Sequence, residues 1–278
     1  MLGKKTLKMR SFNSVASGET ATLSLPIGHT YHDLILILGG DLTVALTGRV
    51  NIVSNGDIID SWKTGTQITE FNDHKDLVNS SGILHIPFER LNLLNREHRE
   101  RTAIGTGMKD DPDYISSLVL EVEILAGSTS PALTCYAVVS KASYAGIIRQ
   151  TRHFTFNALS DGEYEIADLP RGLVIDKVFF RCFDPSDDSV VVPNEVSLKL
   201  ANEIVFQRTN ALNEHIQLNG VRDPQGEYFV FDPSEEGYGS EGLRTDQLQE
   251  MVFTLDLPED ATIACSVEYL GGLPRKAA

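Results

Sequence analysis

Ala21-Thr-Leu-Ser-Leu-Pro-Ile-Gly28 and Glu165-Ile-Ala-Asp-Leu-Pro-Arg-Gly172 follow one pattern, and they begin 144 positions apart. A strand-like apolar run follows each of them, at Leu34–Leu38 in the first half of the chain and at Val174–Phe183 in the second. A repeat with a period of about half the chain predicts two copies of one domain. A solenoid would be built instead from units of roughly 20 to 50 residues.

Each half continues with a hairpin, a short helix and two closing strands, in the same order. In the first half these are predicted at Arg49–Trp62, Gln67–His74, Ser117–Leu125 and Leu133–Val139. In the second half they are predicted at Glu195–Gln207, Ala211–Leu218, Met251–Leu257 and Ile263–Tyr269.

The strand-like segments alternate apolar and polar residues, as Leu23, Leu25 and Ile27 do with their neighbours. A period of two with one apolar face is typical of half-buried antiparallel strands. Asn55-Gly56 predicts a two-residue hairpin turn. The fold class is therefore all-β: two tandem eight-stranded jelly-roll β-sandwiches with short inserted helices. We expect an N-terminal jelly roll over 9–143 and a C-terminal one over 150–273, joined through the weakly patterned stretch 140–152.

The composition is that of a soluble globular protein, with 41% hydrophobic and 23% charged residues among 278. The longest clean apolar run, Leu34–Leu38, is far shorter than the ~20 residues of a bilayer span. No secretory signal is expected at the start. Cys135, Cys182 and Cys265 lie in strand-like runs and are expected to be free thiols of the core, in a reducing cytoplasm.

Both ends of the chain are basic, although the formal net charge is −15. Such an acidic chain is a poor candidate for coating nucleic acid, so sequence-specific nucleic-acid binding is not expected. The ends are interpreted either as frayed, solvated termini or as segments that meet an anionic lipid surface or a genome. The residues concerned are Lys4, Lys5, Lys8, Arg10, Arg275 and Lys276.

Several motifs are weaker than they look. Gly237–Gly242 matches G-x-G-x-x-G but lacks the long helix that phosphate binding needs, which favours a flexible loop. His29 and His32 with Asp33 match metal-binding jelly rolls poorly, so surface or capping histidines are expected. Arg96–Arg101 mixes both signs of charge, as a solvated helical face does, with an intersubunit salt-bridge strip as the alternative.

Two acidic stretches, Lys109–Asp113 and Asp184–Asp188, are interpreted as solvated turns, with an intersubunit calcium site as the alternative. Phe88–Asp113 and Asp223–Leu243 are expected to be long irregular loops. Neither G-x-S-x-G nor H-E-x-x-H occurs, and paired carboxylates in a cleft pattern are not evident. The expectation is a chain that is not an enzyme, with no catalytic, cofactor-binding or metal-ligating residues.

Residues in a consistent order along the chain carry a resemblance to a known family. They are Met9-Arg-Ser-Phe12, Leu25-Pro-Ile-Gly28 with Thr30-Tyr31, Arg152 with Phe154, Glu165–Arg171, and Val267-Glu-Tyr269 with Gly271. On these residues the chain resembles the corticovirus-type major capsid protein of membrane-containing bacteriophages.

The resemblance implies a double jelly roll that forms pseudo-hexameric homotrimers and tiles an icosahedral shell over an internal membrane. It further implies neighbouring capsid trimers, vertex proteins and minor membrane proteins of the virion as partners, and inner membrane lipid met by the basic termini. The subunit would be made in the host bacterial cytoplasm and reside in the virion capsid. Residues 1–8 precede the family-like opening and would be an inward arm or an upstream start. The binding of a structural calcium ion stays an open question, and no ligands are assigned to it.

Two other functions compete with this interpretation. A receptor- or carbohydrate-binding vertex or spike protein should expose aromatic side chains, yet the only tryptophan, Trp62, follows a strand and is expected to pack. A jelly-roll enzyme should show a metal triad or two facing carboxylates.

Overall fold

The computed structural model describes residues 3–218, 220–236 and 242–273. The chain divides into two compact units. The N-terminal unit runs to Thr151 and also takes in the segment that begins at Leu270, whereas the C-terminal unit is Arg152–Tyr269.

The N-terminal unit is a sandwich of two antiparallel sheets. One sheet has the order β1-β9-β3-β6, with β7 also pairing β3, and the other has the order β2-β8-β4-β5. Its elements are β1 (Lys5–Lys8), β2 (Thr20–Leu25), β3 (His29–Gly40), β4 (Thr47–Ser54), β5 (Asp57–Trp62), α1 (Gly65–His74), β6 (Ile83–Pro87), α2 (Arg96–Glu100), β7 (Ile104–Gly105), β8 (Leu118–Ile124) and β9 (Pro131–Lys141), with a 3₁₀ turn at Val44–Leu46.

The C-terminal unit repeats this arrangement. Its sheets have the orders β10-β19-β12-β13, with β16 and β17 also pairing β12, and β11-β18-β14-β15. The elements are β10 (Ile148–Ala158), β11 (Gly162–Ile166), β12 (Val174–Phe183), β13 (Val190–Val191), β14 (Glu195–Leu200), β15 (Glu203–Thr209), α3 (Asn210–Gln217), β16 (Phe229–Phe231), β17 (Leu243–Arg244), β18 (Met251–Leu257) and β19 (Ala261–Gly271).

Each unit thus has the strand order of a jelly roll, with five strands against four in the N-terminal unit and six against four in the C-terminal unit, which confirms the double jelly roll. Both helices of the repeat lie where they were predicted, to within two residues at either end. In the part of the chain that the structure describes, β13 is the one strand without a counterpart in the other unit. The irregular stretch between β9 and β10 is 142–147, and β1 starts at Lys5, ahead of the boundary expected at residue 9.

The repeated Leu-Pro-X-Gly sequence turns the chain from one sheet to the other, because β2 and β11 precede it and β3 and β12 follow. Gly28 and Gly172 have φ of 101° and 104°, a backbone conformation that only glycine adopts without strain. A threonine hydroxyl holds each turn. Thr106 Oγ1 accepts from Gly28 N–H at 3.0 Å, and Thr245 Oγ1 accepts from Gly172 N–H at 2.9 Å.

The same hydroxyls then donate to the carbonyl oxygens of His29, at 2.8 Å, and Leu173, at 2.5 Å. Each threonine directly follows a short strand, β7 or β17, that pairs with the strand after the turn. We call these two contacts the threonine clasps. They join the late part of each unit to its early part, over 78 and 73 residues.

The central hairpins share a turn geometry and a bulge. Asn55 and Gly56 have φ of 51° and 87°, and Ala201 and Asn202 have φ of 46° and 75°. Positive φ at both central residues marks a type I′ turn, whose twist suits a hairpin. The strand register shifts between Ile52 and Val53 in one hairpin, and between Leu198 and Lys199 in the other.

The expectation of two long irregular loops was wrong, because both segments contain regular structure. The first carries α2 and β7, and the second carries β16 and the start of β17. Charged residues flank these short strands and mask the apolar pattern that would predict them. Asp232, directly after β16, bonds Arg222 Nε at 2.7 Å and lies 3.4 Å from Lys177 Nζ. All three side chains are fully buried, and each charge therefore has a partner.

Apolar side chains from both sheets fill the core of each unit. In the C-terminal unit the Phe253 ring lies 5.4 Å from those of Phe180 and Phe231, at steep angles typical of edge-to-face packing. No disulfide bond joins the three cysteines, and all three are buried, as predicted. Burial raises the pKa of the Cys135 and Cys182 thiols to about 12.

Removing a clasp hydroxyl should destabilise its own unit. In Thr106→Val the amide of Gly28 loses its acceptor inside the protein, and the free energy of unfolding should fall by about 1–3 kcal/mol. Thr245→Val should act in the same way on the C-terminal unit. Urea denaturation measures the change, and exposed Thr6→Val serves as the control. Equal stability of Thr106→Val and the control would show that the clasp contributes nothing.

Candidate functional site

His32 is buried rather than at the surface, so the expectation of a surface or capping histidine was wrong for it. It is the extra residue of a β-bulge, since Tyr31 pairs with Val139 and Asp33 pairs with Val138. The bulge lets the neighbours Tyr31 and His32 both point inward, where they are 0% and 4% exposed. His29 is half-buried, edge-on to the Tyr31 ring at 6.3 Å.

A cluster of charges surrounds His32. Its Nδ1 contacts the Glu89 carboxylate, and its Nε2 lies 2.8 Å from Ser140 Oγ. Lys4 Nζ lies 2.6 Å from the same Glu89 oxygen and 2.9 Å from Glu100 Oε1. We call His32, Glu89, Lys4 and Glu100 the His32 cluster; it fastens the start of the chain to the loop after β6.

From Lys5 onward the described chain is therefore part of the sheet rather than a frayed end or a free arm. Lys5–Lys8 pair with β9 from Val139 to Tyr136, and Met9 N–H continues the ladder to Cys135 O at 2.9 Å. Lys5, Lys8 and Arg10 remain exposed. Arg275 and Lys276 lie outside the described residues.

Burial alone would raise the pKa of Glu89, but hydrogen bonds from His32 and Lys4 outweigh it and hold this pKa below its ordinary value. The Glu89 carboxylate is therefore charged at neutral pH, and it needs its basic neighbours to stay so. Arg96, from the mixed-charge stretch, bonds Glu100 at 2.8 Å within α2. This contact within the chain fits the solvated helical face that was expected there.

The acidic turns bind backbone N–H groups. Asp184 Oδ1 accepts from Ser186 N–H at 2.6 Å, and Asp187 Oδ1 accepts from Ser189 N–H at 2.9 Å. Asp111 Oδ2 accepts from Ala145 N–H at 2.7 Å. No group of three or more His, Cys, Asp or Glu side chains among the described residues is placed to hold a metal ion. Five residues of the G-x-G-x-x-G stretch, 237–241, lie outside the described part.

Exposed apolar side chains gather on two successive elements of the C-terminal unit. On the edge strand β15, Ile204 and Val205 are 57% and 51% exposed. The register shift makes Val205 the unpaired residue of the bulge, since Ile204 pairs with Lys199 and Phe206 with Leu198. Helix α3 and its C-cap add Leu212, Ile216 and Leu218. We call these five residues the β15–α3 face.

The helix α3 has its polar side inward. Asn213 and Gln217 are buried, and both side-chain amides donate to the carbonyl oxygen of Val230 in β16 at 2.9 Å. Leu212 and Ile216 therefore occupy the outer side. Such an arrangement is unfavourable in water and is typical of a surface that another molecule covers.

The equivalent elements of the N-terminal unit are covered. Ile59, the bulge residue of β5, is 3% exposed, and α1 buries Ile68 and Phe71. The start of β10 lies against β5: Thr151 N–H donates to Asp60 Oδ1 at 2.8 Å, and Arg149 Nε lies 3.6 Å from Asp60 Oδ2. One hairpin edge thus has a cover that the other lacks among the described residues.

The comparisons with known proteins agree with this architecture. The chain matches the viral coat protein P2 N-terminal domain over residues 6–140 and the viral coat protein P2 C-terminal domain over residues 148–273. The chain belongs to the viral coat protein P2 family. Family members are coat proteins, which supports the expectation that the chain is not an enzyme.

One relative is the major capsid protein P2 of Pseudoalteromonas phage PM2, 27% identical over 171 residues. This alignment covers 59% of the chain and spans only 60% of the relative's length. The crystal structure of the major capsid protein P2 from bacteriophage PM2 superposes with a TM-score of 0.88 at 21% identity, over 99% of this chain and all of that one.

More distant structures share the fold. The atomic structure of Sulfolobus turreted icosahedral virus matches with a TM-score of 0.68 at 9% identity, covering 97% of this chain and 91% of that one. The PBCV-1 virus capsid matches with a TM-score of 0.63 at 9% identity, covering 98% and 97%. In the described part of the chain, no helix is both long and apolar enough to cross a membrane.

Lys4 should prove important for the stability of the N-terminal unit. Lys4→Met removes the ammonium group from buried Glu89, and we expect a loss of about 1–3 kcal/mol in the free energy of unfolding at neutral pH. Lys5→Met, which changes an exposed neighbour, is the matched control.

The free energy of unfolding should depend on pH through Glu89, and the sign of this dependence is defined. Because the pKa of Glu89 is lowered in the folded state, its contribution is present above the ordinary value of 4.5 and is lost as the pH falls below it. Urea unfolding between pH 7 and pH 3 should therefore show a shallower acid loss for Glu89→Gln than for the parent chain. Identical acid slopes would rule out this role of Glu89.

Proposed function

We propose that this chain is a viral major capsid protein that builds the shell of a virion. The observation that carries the proposal is the internal duplication: two jelly rolls with one strand order in a single chain of a coat protein family. The jelly rolls are the proposed domains, at 9–143, extended back to Lys5 by β1, and at 150–273.

The subunit forms a homotrimer. Three copies of two similar units approximate sixfold symmetry, so that one gene product gives a near-hexagonal tile for an icosahedral shell. Neighbouring trimers, vertex proteins and minor membrane proteins of the virion are the further partners. Side-to-side interfaces on several edges, rather than a pocket, hold such a shell together.

An internal membrane lies beneath the shell, and the remaining basic residues near the chain ends meet its lipid. Lys4 is engaged within the His32 cluster, and Lys5 and Lys8 lie on β1. We assign the lipid contact to exposed Arg10, which follows that strand, and to Arg275 and Lys276. Each basic residue near an anionic surface contributes about 1 kcal/mol. Such an attraction is effective only when the residue approaches the lipid to within about 8 Å at physiological salt.

A receptor- or carbohydrate-binding spike protein has less support. Trp62, the only tryptophan, is 2% exposed, with the Arg149 guanidinium 5.8 Å from its ring. Exposed Tyr144 donates its hydroxyl to Asp110 at 2.8 Å. Neither ring belongs to an aromatic platform of the kind that stacks on sugars.

The assembled unit should have three times the 30.6 kDa mass of the chain. Sedimentation equilibrium of the purified protein, or native mass spectrometry of units released from particles, measures it. A stable monomer or a twofold dimer as the building unit would contradict the proposed function.

Binding to anionic vesicles should weaken in Arg10→Gln, most clearly at low salt. Vesicles of phosphatidylglycerol and phosphatidylethanolamine are the probe, and co-sedimentation is the readout. Exposed Arg49→Gln, at the start of β4, is the control because it removes the same charge elsewhere. If both variants bind as the parent chain does at every salt level, Arg10 has no lipid contact.

A further inference from the structure

We propose that the β15–α3 face of one copy is covered by the start of β1 from a second copy, so that subunits join head to tail. The inference rests on the proposed capsid function and names the contact that closes the tile. A heterologous contact of this kind closes into a ring when its rotation divides a full turn.

The first support is the cover that the same fold already has on its other hairpin edge. On β5, the bulge residue Ile59 is buried and Asp60 is held by Arg149 and Thr151, at the start of β10. The strand that corresponds to β10 in the repeat is β1, since each is the edge strand next to β9 or β19. A basic residue stands at the start of both: Arg149 is the second residue of β10, and Lys4 directly precedes β1.

Charge complementarity is the second support. The β15–α3 face carries acid, because Glu203 is exposed at the turn end of β15, and Glu195 and Glu214 are half-buried beside it. The basic side chain on β15, Arg208, is neutralised by Glu235 at 2.7 and 2.9 Å. The start of β1 is basic, with Lys5 and Lys8 exposed. Opposite charges also meet on β5, where Arg149 lies beside Asp60.

The same charges disfavour a twofold contact of the β15–α3 face with itself. Such an arrangement would bring Glu203 and Glu214 of both copies together, and like charges at an interface are costly. A contact with β1 instead buries Ile204, Val205 and the outer side of α3 while pairing acid with base. Among the described residues β15 pairs only with β14, and β1 only with β9, so both strands offer an open edge.

Site-directed crosslinking of the full chain tests this geometry. The double variant Val205→Cys with Lys5→Cys, treated with a short bismaleimide, should give covalent dimers and trimers in denaturing electrophoresis. Each single variant should stay monomeric, because a head-to-tail contact brings unlike positions together. The native thiols do not compete, since all three are buried. Leu159→Cys with Lys5→Cys is the control, because Leu159 is 91% exposed elsewhere on the C-terminal unit.

Charge reversal provides a second readout that misfolding cannot imitate. Glu203→Lys should raise the dissociation constant of the trimer about tenfold, the effect of one close charge pair. Adding Lys5→Glu to the same chain should restore the affinity. Analytical ultracentrifugation over a dilution series measures both.

The outcomes separate this inference from the capsid proposal. A parent chain that never trimerises contradicts the proposed function itself. Trimers that resist crosslinking in the double variant leave that function standing and overturn the head-to-tail contact. Crosslinking by Val205→Cys alone would show a twofold contact and would also overturn it. Crosslinking by the Leu159→Cys control as efficiently as by Val205→Cys would show that the reaction reports collisions, which again counts against the contact.

Discussion

The turn between the two sheets is the constraint on which each unit depends. A jelly roll is stable only if the chain leaves one sheet and enters the other so that both apolar faces meet. Gly28 and Gly172 make this change of sheet with positive φ, and a threonine hydroxyl from more than 70 residues away holds each turn. Since each clasp joins a late part of the unit to an early part, the unit is expected to form as a whole.

Buried charges hold segments of each unit that the threonine clasps do not contact. In the N-terminal unit, Glu89 ties the first strand to the loop after β6 through Lys4 and His32. In the C-terminal unit, Asp232 receives Arg222 and lies beside Lys177, and this fixes the segment around β16. A buried ion pair is weak evidence of net stability, but removing one of its partners strongly destabilises the fold. These clusters therefore specify where charged segments lie.

The two units share one strand order, but their hairpin edges differ. The β5 edge is covered, whereas the β15 edge presents Val205 and a helix with its polar side turned inward. Two identical edges would favour symmetric association. One covered and one open edge instead agree with the proposed head-to-tail contact between copies.

The sequence alone determined the repeat, the strand alternation, the hairpin turn at Asn55-Gly56, both helices of the repeat and the burial of the cysteines, because each depends on local pattern or composition. Tertiary structure alone decided the rest. The bulge at His32 turns that residue inward, and the alternation of apolar and polar residues does not predict a bulge. The segment Phe229–Phe231 is a strand because it pairs with β12, and Lys4 is held by Glu89, although the local sequences look like loop and tail. The outward side of α3 depends on whether Asn213 and Gln217 find Val230, and only the folded chain brings them together.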